Sequence, residues 1–379
     1  MNLINYYKMK FLRLAFYVLV AQLVLSGCAG EGVEETSSSS ASEINFDAYV
    51  GRNASTRSNI TDIDFLRSGI WNAGFGVFAR YNYNGKILSL LDTEHVTWNK
   101  DQNRWEYTNT RFWPSSGKVD FYAFARYVDI VRMGPLPATL GNSTEETYIN
   151  FPSNENPIDL IWAKKTGQEA PTSPGSKVTF QFKHALSRLS FKITANQELL
   201  EDGAVINVKE VRLYGANENT GIFLMGGYLN LNSESGDWVP YDNNGIKWFY
   251  TWTETGKKDG VNDSIQKIDG PVLKLSAPKL DINHTSITND ENSYIFIIPQ
   301  DLPKNINIMI TYTVTQGDFV EELTVKKNLR DVLLKKDSKF KFEQGKAYVF
   351  NLKLLDPVNF SVTTDVVKWE PGDDKTIPL

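Results

Sequence analysis

The clearest β-strand pattern in the chain is Ile306-Asn307-Ile308-Met309-Ile310-Thr311-Tyr312-Thr313-Val314-Thr315. Apolar side chains occupy every second position from Ile306 to Val314, and asparagine or threonine fills most positions between them. This period of two is typical of a strand with one buried face. Gln316-Gly317-Asp318 then supplies turn residues, and Phe319–Val325 has the composition of a returning strand. The sequence therefore predicts a pair of neighbouring strands over residues 306–325.

Alternating runs of the same kind recur along the chain, separated by proline and glycine. They cover residues 75–81, 121–125, 178–182, 189–193 and 348–354. Beyond the first thirty residues, no stretch has the sustained apolar stripe of an amphipathic helix. Many short strands with turn residues between them indicate β-sandwiches, so we predict an all-β fold. The apolar parity changes between Phe182 and Leu189, which predicts a bulge or bend near His184-Ala185.

Composition and charge narrow the class of protein. The chain has 379 residues, of which 41% are hydrophobic and 22% charged, which excludes a disordered tail and a polytopic membrane protein. The formal net charge of -5 argues against nucleic acid as a partner, because phosphate binding needs a concentrated positive field. One cysteine and three histidines exclude a disulfide scaffold and a structural zinc site built on several thiolates.

The first thirty residues have the features of a lipoprotein signal. Lys8, Lys10 and Arg13 precede an apolar run over residues 14–25, which is short for a membrane span and suits a signal-peptide core. The run ends in Leu25-Ser26-Gly27-Cys28, which resembles the lipobox of bacterial lipoproteins. We therefore predict a signal peptide over residues 1–27 and lipid attachment at Cys28. The alternative is an incidental cysteine that ends a signal sequence.

After the signal, we expect a tether and two domains. Residues 28–43 are small, acidic and rich in serine, which predicts flexibility. The acidic residues resemble the surface-export signals of Bacteroidales lipoproteins, and they suit a merely solvated linker equally well. The chain beyond the tether is longer than the roughly 250–300 residues that one hydrophobic core usually holds. Because polar residues 196–203 follow a strong strand pattern, we predict domains over residues 44–195 and 196–379.

The sequence shows no arrangement typical of catalysis or of cofactor binding. His95, His184 and His284 are far apart and lack metal-ligand spacing, and we expect His184 to be a hydrogen-bonded structural residue. Nucleophile-elbow, phosphate-loop and dinucleotide-binding motifs are absent, so we predict no cofactor.

Two tryptophans are candidates for ligand binding. Trp105 and Trp113, together with Trp98 and Tyr107, would suit an aromatic platform for sugars. The cores and rims of β-sandwiches use the same residue types, so both interpretations stay open at this point.

Arg57 is a candidate for proteolytic processing. It lies in the polar segment Asn53–Asn59, which follows the apolar alternation of Ile44, Phe46, Ala48 and Val50. Polar, exposed segments are where proteases preferentially cut. The alternative is an ordinary arginine in a solvated loop.

Several short motifs together point to one protein family. The best match is Phe180-Gln181-Phe182-Lys183-His184-Ala185-Leu186-Ser187-Arg188-Leu189. The others are the lipobox at Cys28, Thr56-Arg57, Gly76-Val77-Phe78-Ala79, Phe112-Trp113-Pro114, Val119–Phe124, Asp159–Ala163, Gly345–Leu352, Phe360-Ser361-Val362 and Lys368-Trp369. Spread over most of the chain, these motifs resemble the fimbrillin-like pilin family of Bacteroidales type V pili.

The resemblance implies two transthyretin-like β-sandwich domains in tandem and no enzyme activity. It implies an outer-membrane, lipid-anchored precursor that reaches the cell surface and enters a fimbrium. In this family an Arg-specific protease removes the N-terminal segment with the first strand, and a strand from a neighbouring subunit fills the emptied groove. The product is a head-to-tail polymer of pilin subunits. On this pattern Arg57 is the expected cut, with Arg52 second.

Two questions stay open at this stage. The run Phe360–Trp369 is either a donor strand or the last strand of its own domain, whereas residues 370–379 contain two prolines and make a poor strand. The chain is either a fimbrial subunit or a monomeric surface lipoprotein that binds glycans through exposed Trp105 and Trp113. A subunit at the fimbrial tip would also bind a host or bacterial surface receptor.

Overall fold

Strands make up most of the fold, which confirms the predicted all-β class. The computed structural model describes residues 42–50, 61–127, 132–134, 147–151, 158–218, 220–224, 226–241, 249–253, 265–269, 273–276, 295–336 and 339–368. Within these ranges, no helix combines the length and the apolar character needed to cross a membrane.

The N-terminal half is built on one large sheet and a separate pair of strands. Its elements are β1 (Asn45–Tyr49), α1 (Ile63–Arg67), β2 (Phe75–Tyr83), β3 (Lys86–Asn99), β4 (Arg104–Glu106), β5 (Lys118–Ala125), β6 (Arg132–Gly134), β7 (Tyr148–Phe151), β8 (Ile161–Gln168), β9 (Lys177–Gln181) and β10 (Lys183–His184). The large sheet has the order β10-β8-β5-β2-β3-β4. β1 and β9 pair in parallel, and apolar side chains between this pair and the large sheet form the first core.

The C-terminal half places two sheets around a second core. Its elements are β11 (Ser187–Ala195), a 3₁₀ segment (Gln197–Gly203), β12 (Val205–Tyr214), β13 (Gly227–Asn230), β14 (Asp237–Pro240), β15 (Phe249–Thr253), β16 (Ile265–Asp269), β17 (Leu273–Ser276), β18 (Ile295–Ile297), β19 (Gln300–Asp301), β20 (Asn307–Gln316), β21 (Phe319–Asn328), α2 (Arg330–Lys336), β22 (Lys341–Phe342), β23 (Lys346–Asp356) and β24 (Asn359–Lys368). One sheet has the order β18-β11-β23-β24, and the other has the order β16-β15-β12-β20-β21 with β17 also on β12. Phe191, Tyr312 and Phe350 belong to the core that these two sheets share.

A third core covers the other face of the N-terminal sheet and joins the two halves. Its members include Phe124 and Trp162 from that sheet, Ile149 from β7 and Leu229 from β13. β7 pairs with β13 within a small sheet of order β14-β13-β7-β6. Because both faces of β2 and β5 are covered, buried residues run consecutively along much of these strands instead of alternating.

The irregularity predicted near His184-Ala185 coincides with a change of sheet. β9 pairs with β1, β10 pairs with β8, and β11 runs parallel to β23 in the C-terminal half. Phe182 packs in the first core, whereas Ala185 and Leu186 pack in the third core. The chain therefore leaves one core for another at this point, which explains the change of apolar parity.

The division into domains over residues 44–195 and 196–379 stays a prediction, as does the number of transthyretin-like sandwiches. Strand pairing crosses the predicted boundary, because β11 ends at Ala195 and yet lies in the C-terminal sheet. The pairing of β7 with β13 crosses it as well.

A buried tyrosine connects two hairpins of the C-terminal half. The strands predicted over residues 306–325 are present as the antiparallel pair β20 and β21. Tyr312 on β20 is fully buried, and its hydroxyl donates a hydrogen bond of 2.8 Å to the carbonyl oxygen of Pro357 in the turn between β23 and β24. Burial, with smaller effects from Asp356 and Glu321, raises the pKa of Tyr312 to about 12.

Replacing Tyr312 with phenylalanine should change the alkaline stability of the protein. The tyrosine pKa is about 10 in the unfolded chain and about 12 in the folded protein. The protonated Tyr312 hydroxyl therefore stabilises the fold fully below about pH 10. This stabilisation is lost as the pH rises from about 10 to about 12, because the unfolded chain ionises first. Tyr312→Phe should cost about 1 kcal/mol at pH 7, and its free energy of unfolding should fall less steeply above pH 10. Urea unfolding at several pH values measures both effects. Tyr83→Phe, at an exposed site, is the control. If the free energy of unfolding falls equally steeply above pH 10 in Tyr312→Phe and in the wild type, the pKa of Tyr312 is not raised in the folded protein.

Candidate functional site

The first strand, β1, fills a groove in the N-terminal half with one apolar face. Ile44, Phe46, Ala48 and Val50 are 0%, 2%, 8% and 1% exposed, whereas Tyr49 is 53% exposed. The sequence alternation that suggested a strand thus corresponds to alternate residues facing inward and outward. We call the space that these four inward side chains occupy the β1 groove.

Main-chain hydrogen bonds hold β1 along one edge and at the start of the other. On one edge it runs parallel to β9, with Phe46 opposite Val178 and Ala48 opposite Phe180. β9 pairs with no other strand among those that the structure describes. On the other edge, the Ile44 amide donates to the Arg111 carbonyl at 2.8 Å. Loss of β1 would therefore leave the main chain of β9 without its strand partner.

Aromatic side chains line the β1 groove. The Phe46 ring lies 5.8 Å from the Phe180 ring, 6.0 Å from the Phe121 ring and 5.4 Å from the Tyr107 ring, measured between centroids. The Tyr107 hydroxyl donates a hydrogen bond of 2.8 Å to the Ile44 carbonyl. Burial raises the pKa of Tyr107, so its hydroxyl keeps the proton that this bond needs. The groove is apolar, with a polar contact at the start of the strand, and its shape suits an extended peptide with alternating apolar residues.

The predicted lipidation and processing residues lie outside the described part of the chain. Cys28, Arg52 and Arg57 all fall in this category. Arg52 and Arg57 belong to residues 51–60, which connect Val50, at the end of the β1 groove, to Thr61. These residues stay predictions.

The tryptophans proposed as a sugar platform are core residues. Trp105 and Trp113 are 4% and 6% exposed. Trp105 packs on Phe75 with ring centroids 4.9 Å apart, and Trp113 packs on Phe121 at 5.5 Å. The expectation of exposed indoles is therefore corrected, because the first core takes up both side chains. Trp98 and Tyr107 are half-buried against the same core.

The described histidines have structural contacts. His184 Nδ1 lies 2.7 Å from Asp159 Oδ1, and both side chains are fully buried. His95 Nε2 lies 2.7 Å from the Ala73 carbonyl oxygen. Among the described residues, no group of three or more histidine, cysteine, aspartate or glutamate side chains could hold a metal ion. His284 lies outside the described residues.

The C-terminal run is folded onto its own half of the molecule. β24 pairs with β23 over Asn359–Lys368, and Phe360, Val362 and Thr364 are buried. The sequence left open whether this run is a donor strand or the last strand of its own domain. In this structure it is the last strand of its own sheet. β24 is also the edge strand of that sheet, and among the described strands it pairs with β23 alone. Trp369 and residues 370–379 lie outside the described part of the chain.

Comparison with known proteins points to fimbrial proteins. A model of the fimbrillin-like family matches residues 56–369. The chain is 23% identical over 400 residues to "Fimbrium subunit Fim1C" of Phocaeicola vulgatus, and the match covers 95% of this chain and 97% of that protein.

A solved structure shares the fold of this chain. A fimbrial protein from Bacteroides vulgatus superposes with a TM-score of 0.60 at 17% identity, covering 86% of this chain and 99% of that one. A putative cell adhesion protein from Bacteroides uniformis has a TM-score of 0.41 at 16% identity, covering 86% of this chain and 98% of its own.

Removing the Phe46 side chain should destabilise the protein far more than removing the Tyr49 side chain. Phe46→Ala opens a cavity among three aromatic rings and should cost about 3–5 kcal/mol. Tyr49→Ala, on the exposed face of the same strand, should change the free energy of unfolding by about 0.5 kcal/mol or less. Urea unfolding of both variants tests this, and similar losses would mean that β1 does not occupy the groove.

Proposed function

Because the chain belongs to the fimbrillin-like family, we propose that it is a structural subunit or tip adhesin of a cell-surface fimbria. In this proposal the chain is exported as a lipoprotein and assembles by protease-triggered strand exchange. The observation that carries the proposal is β1 itself, a short strand that fills an apolar groove and continues into the segment with Arg52 and Arg57.

The signal peptide directs export, and the lipid on Cys28 then anchors the chain. One lipid-modified N-terminus attaches a protein to a membrane without spanning it, and residues 28–43 then serve as the tether. The precursor is thereby anchored in the outer membrane and presented at the cell surface. The relative in Phocaeicola vulgatus, which is named as a fimbrium subunit, supports this destination.

Cleavage converts β1 from part of the chain into a ligand that is free to leave. An Arg-specific protease that cuts after Arg57, or after Arg52 as the second choice, separates β1 from the rest of the fold. Four inward side chains and the main-chain bonds to β9 then hold β1 in place without a covalent link. When it leaves, it uncovers an apolar groove and an unpaired strand edge, both costly in water.

A strand of a second subunit lowers that cost by taking the place of β1. Main-chain hydrogen bonds to β9 supply affinity, and side chains in alternate pockets supply register. β24 is a candidate donor only if it leaves β23, and its alternation of Phe360, Val362 and Thr364 with more exposed residues would then suit the groove of another subunit. A contact in which each subunit donates to the next does not close on itself, so it extends into a head-to-tail filament.

The proposal assigns neither a catalytic residue nor a cofactor, since the family is one of fimbrial structural proteins. Its partners are other fimbrial subunits, the Arg-specific protease, the outer membrane and, for a tip subunit, a surface receptor. The burial of Trp105 and Trp113 removes the support for a glycan-binding monomer that uses these side chains.

Trimming of the purified precursor with an Arg-specific protease should trigger polymerisation. We expect a product that begins at Ser58 and a ladder of oligomers that resists detergent and collapses on boiling, because each joint is a complete strand pairing. Arg57→Ala should abolish the product that begins at Ser58 and, if that cut is the trigger, the ladder as well. Mass spectrometry and unboiled gel electrophoresis provide the readout.

Arg52→Ala is the matched control and should leave the ladder unchanged. If Arg57→Ala still forms ladders and Arg52→Ala does not, the cut is at Arg52 instead. A trimmed chain that has lost β1 and stays monomeric would contradict strand exchange.

A further inference from the structure

A buried polar cluster fixes the chain at Thr61, where the described residues resume after β1. The Thr61 amide donates to Asp159 Oδ2 at 2.9 Å, and its hydroxyl donates to the Asp159 carbonyl oxygen at 2.7 Å. Both residues are fully buried. The main chain and the side chain of Thr61 are thus both bonded to one residue that lies 98 positions further along.

Other parts of the fold hold Asp159 and Thr61 in this arrangement. The second carboxylate oxygen of Asp159 lies 2.7 Å from His184 Nδ1, next to the change of sheet. Arg126 Nε donates to the Thr61 hydroxyl at 3.4 Å, and Arg126 is itself buried. Hydrogen bonds to a buried carboxylate are among the stronger ones, and breaking them leaves buried groups unpaired. We call Thr61, Asp159, His184 and Arg126 the Thr61 anchor.

The residues that follow continue this ordered structure as far as Arg67. Asp62 caps α1 by accepting a 2.7 Å hydrogen bond from the Phe65 amide. Leu66 is fully buried, and its carbonyl accepts a hydrogen bond from the Gly74 amide at 3.0 Å. The Arg67 guanidinium lies 4.2 Å from the centre of the Trp98 ring. The next arginine after Arg57 is therefore the last residue of a capped helical turn that Leu66 fixes to the core.

We propose that the Thr61 anchor sets the end point of trimming, so that an Arg-specific protease removes β1 and spares Arg67. The proposal extends the processing step of the proposed function and rests on it. A protease binds its substrate as an extended chain, so cutting after Arg67 requires α1 to unwind and the segment from Thr61 to detach. The cleavage rate then follows the population of the locally opened state, which the anchor keeps small. The mature subunit thus keeps α1 and begins at a defined residue.

The test is a time course of the purified full chain with an Arg-specific protease, with fragments identified by intact mass. In the wild type, a product that begins at Ser58 should accumulate, and a product that begins at Ser68 should be at least about tenfold slower to form. Thr61→Val keeps the size of the side chain and removes its donated bond, so cleavage after Arg67 should accelerate about tenfold. Asp159→Ala removes more of the anchor and should accelerate it further.

Two controls make the result specific. Thr166→Val makes the same chemical change at an exposed position of β8 and should cleave like the wild type. Adding Arg67→Lys to Thr61→Val should eliminate the Ser68 product. Circular dichroism shows whether Asp159→Ala folds, and the milder Thr61→Val decides the case if it does not.

Two results would overturn the anchor proposal. One is wild-type cleavage after Arg67 as fast as after Arg57, and the other is an unchanged rate after Arg67 in both folded anchor variants. Failure of the wild type to be cut after Arg57 or Arg52 is a different outcome. It would refute the processing step of the proposed function, while the comparison at Arg67 would still decide whether the anchor protects the helix.

Discussion

The pairing of β1 with β9 is the interaction on which the N-terminal half depends. β9 contributes Val178 and Phe180 to the first core, and β1 is its strand partner in the described fold. With β1 in place, one edge of β9 is paired and the aromatic groove is filled. Without β1, the same residues would present an open edge and an apolar cleft to water, which is a state that favours capture of another strand.

β1 packs into one core only, whereas shared cores and strand pairing join the rest of the described fold. The inward side chains of β1 belong to the first core alone, whereas β2, β5 and β8 contribute side chains to the first and third cores. The third core and the pairing of β7 with β13 bind the two halves together. Between β1 and this framework lies Thr61, which buried hydrogen bonds tie to Asp159. A cut between Val50 and Thr61 thus separates an element whose contacts are confined to one core.

Sequence periodicity predicts individual strands and the face that each one buries. It does not predict which strands pair, or which side chains far apart in the chain pack together. The existence of β20 and the inward face of β1 follow directly from alternation, although Met309 and Thr313 on the other face of β20 are buried as well. Trp105 and Trp113 look the same in sequence whether they are exposed or buried, and their burial depends on contacts with Phe75 and Phe121 in other strands. The parity change after Phe182 predicted an irregularity, but a change of sheet needs partners such as β23, which lies more than 150 residues away. Of the Thr61 anchor, the sequence indicated only that His184 is a hydrogen-bonded structural residue. The contact of Thr61 with Asp159 left no signal, since both are common polar residues far apart in the chain.

The most direct test of strand replacement is hydrogen–deuterium exchange at the amides of β9 in three states of the protein. These states are the intact precursor, the freshly trimmed monomer and the assembled polymer. We expect slow exchange in the precursor at those amides of Lys177–Gln181 that face β1, fast exchange at them after trimming releases β1, and slow exchange again in the polymer. If β9 stays protected throughout, or stays unprotected in the polymer, β1 is not exchanged for a strand of another subunit.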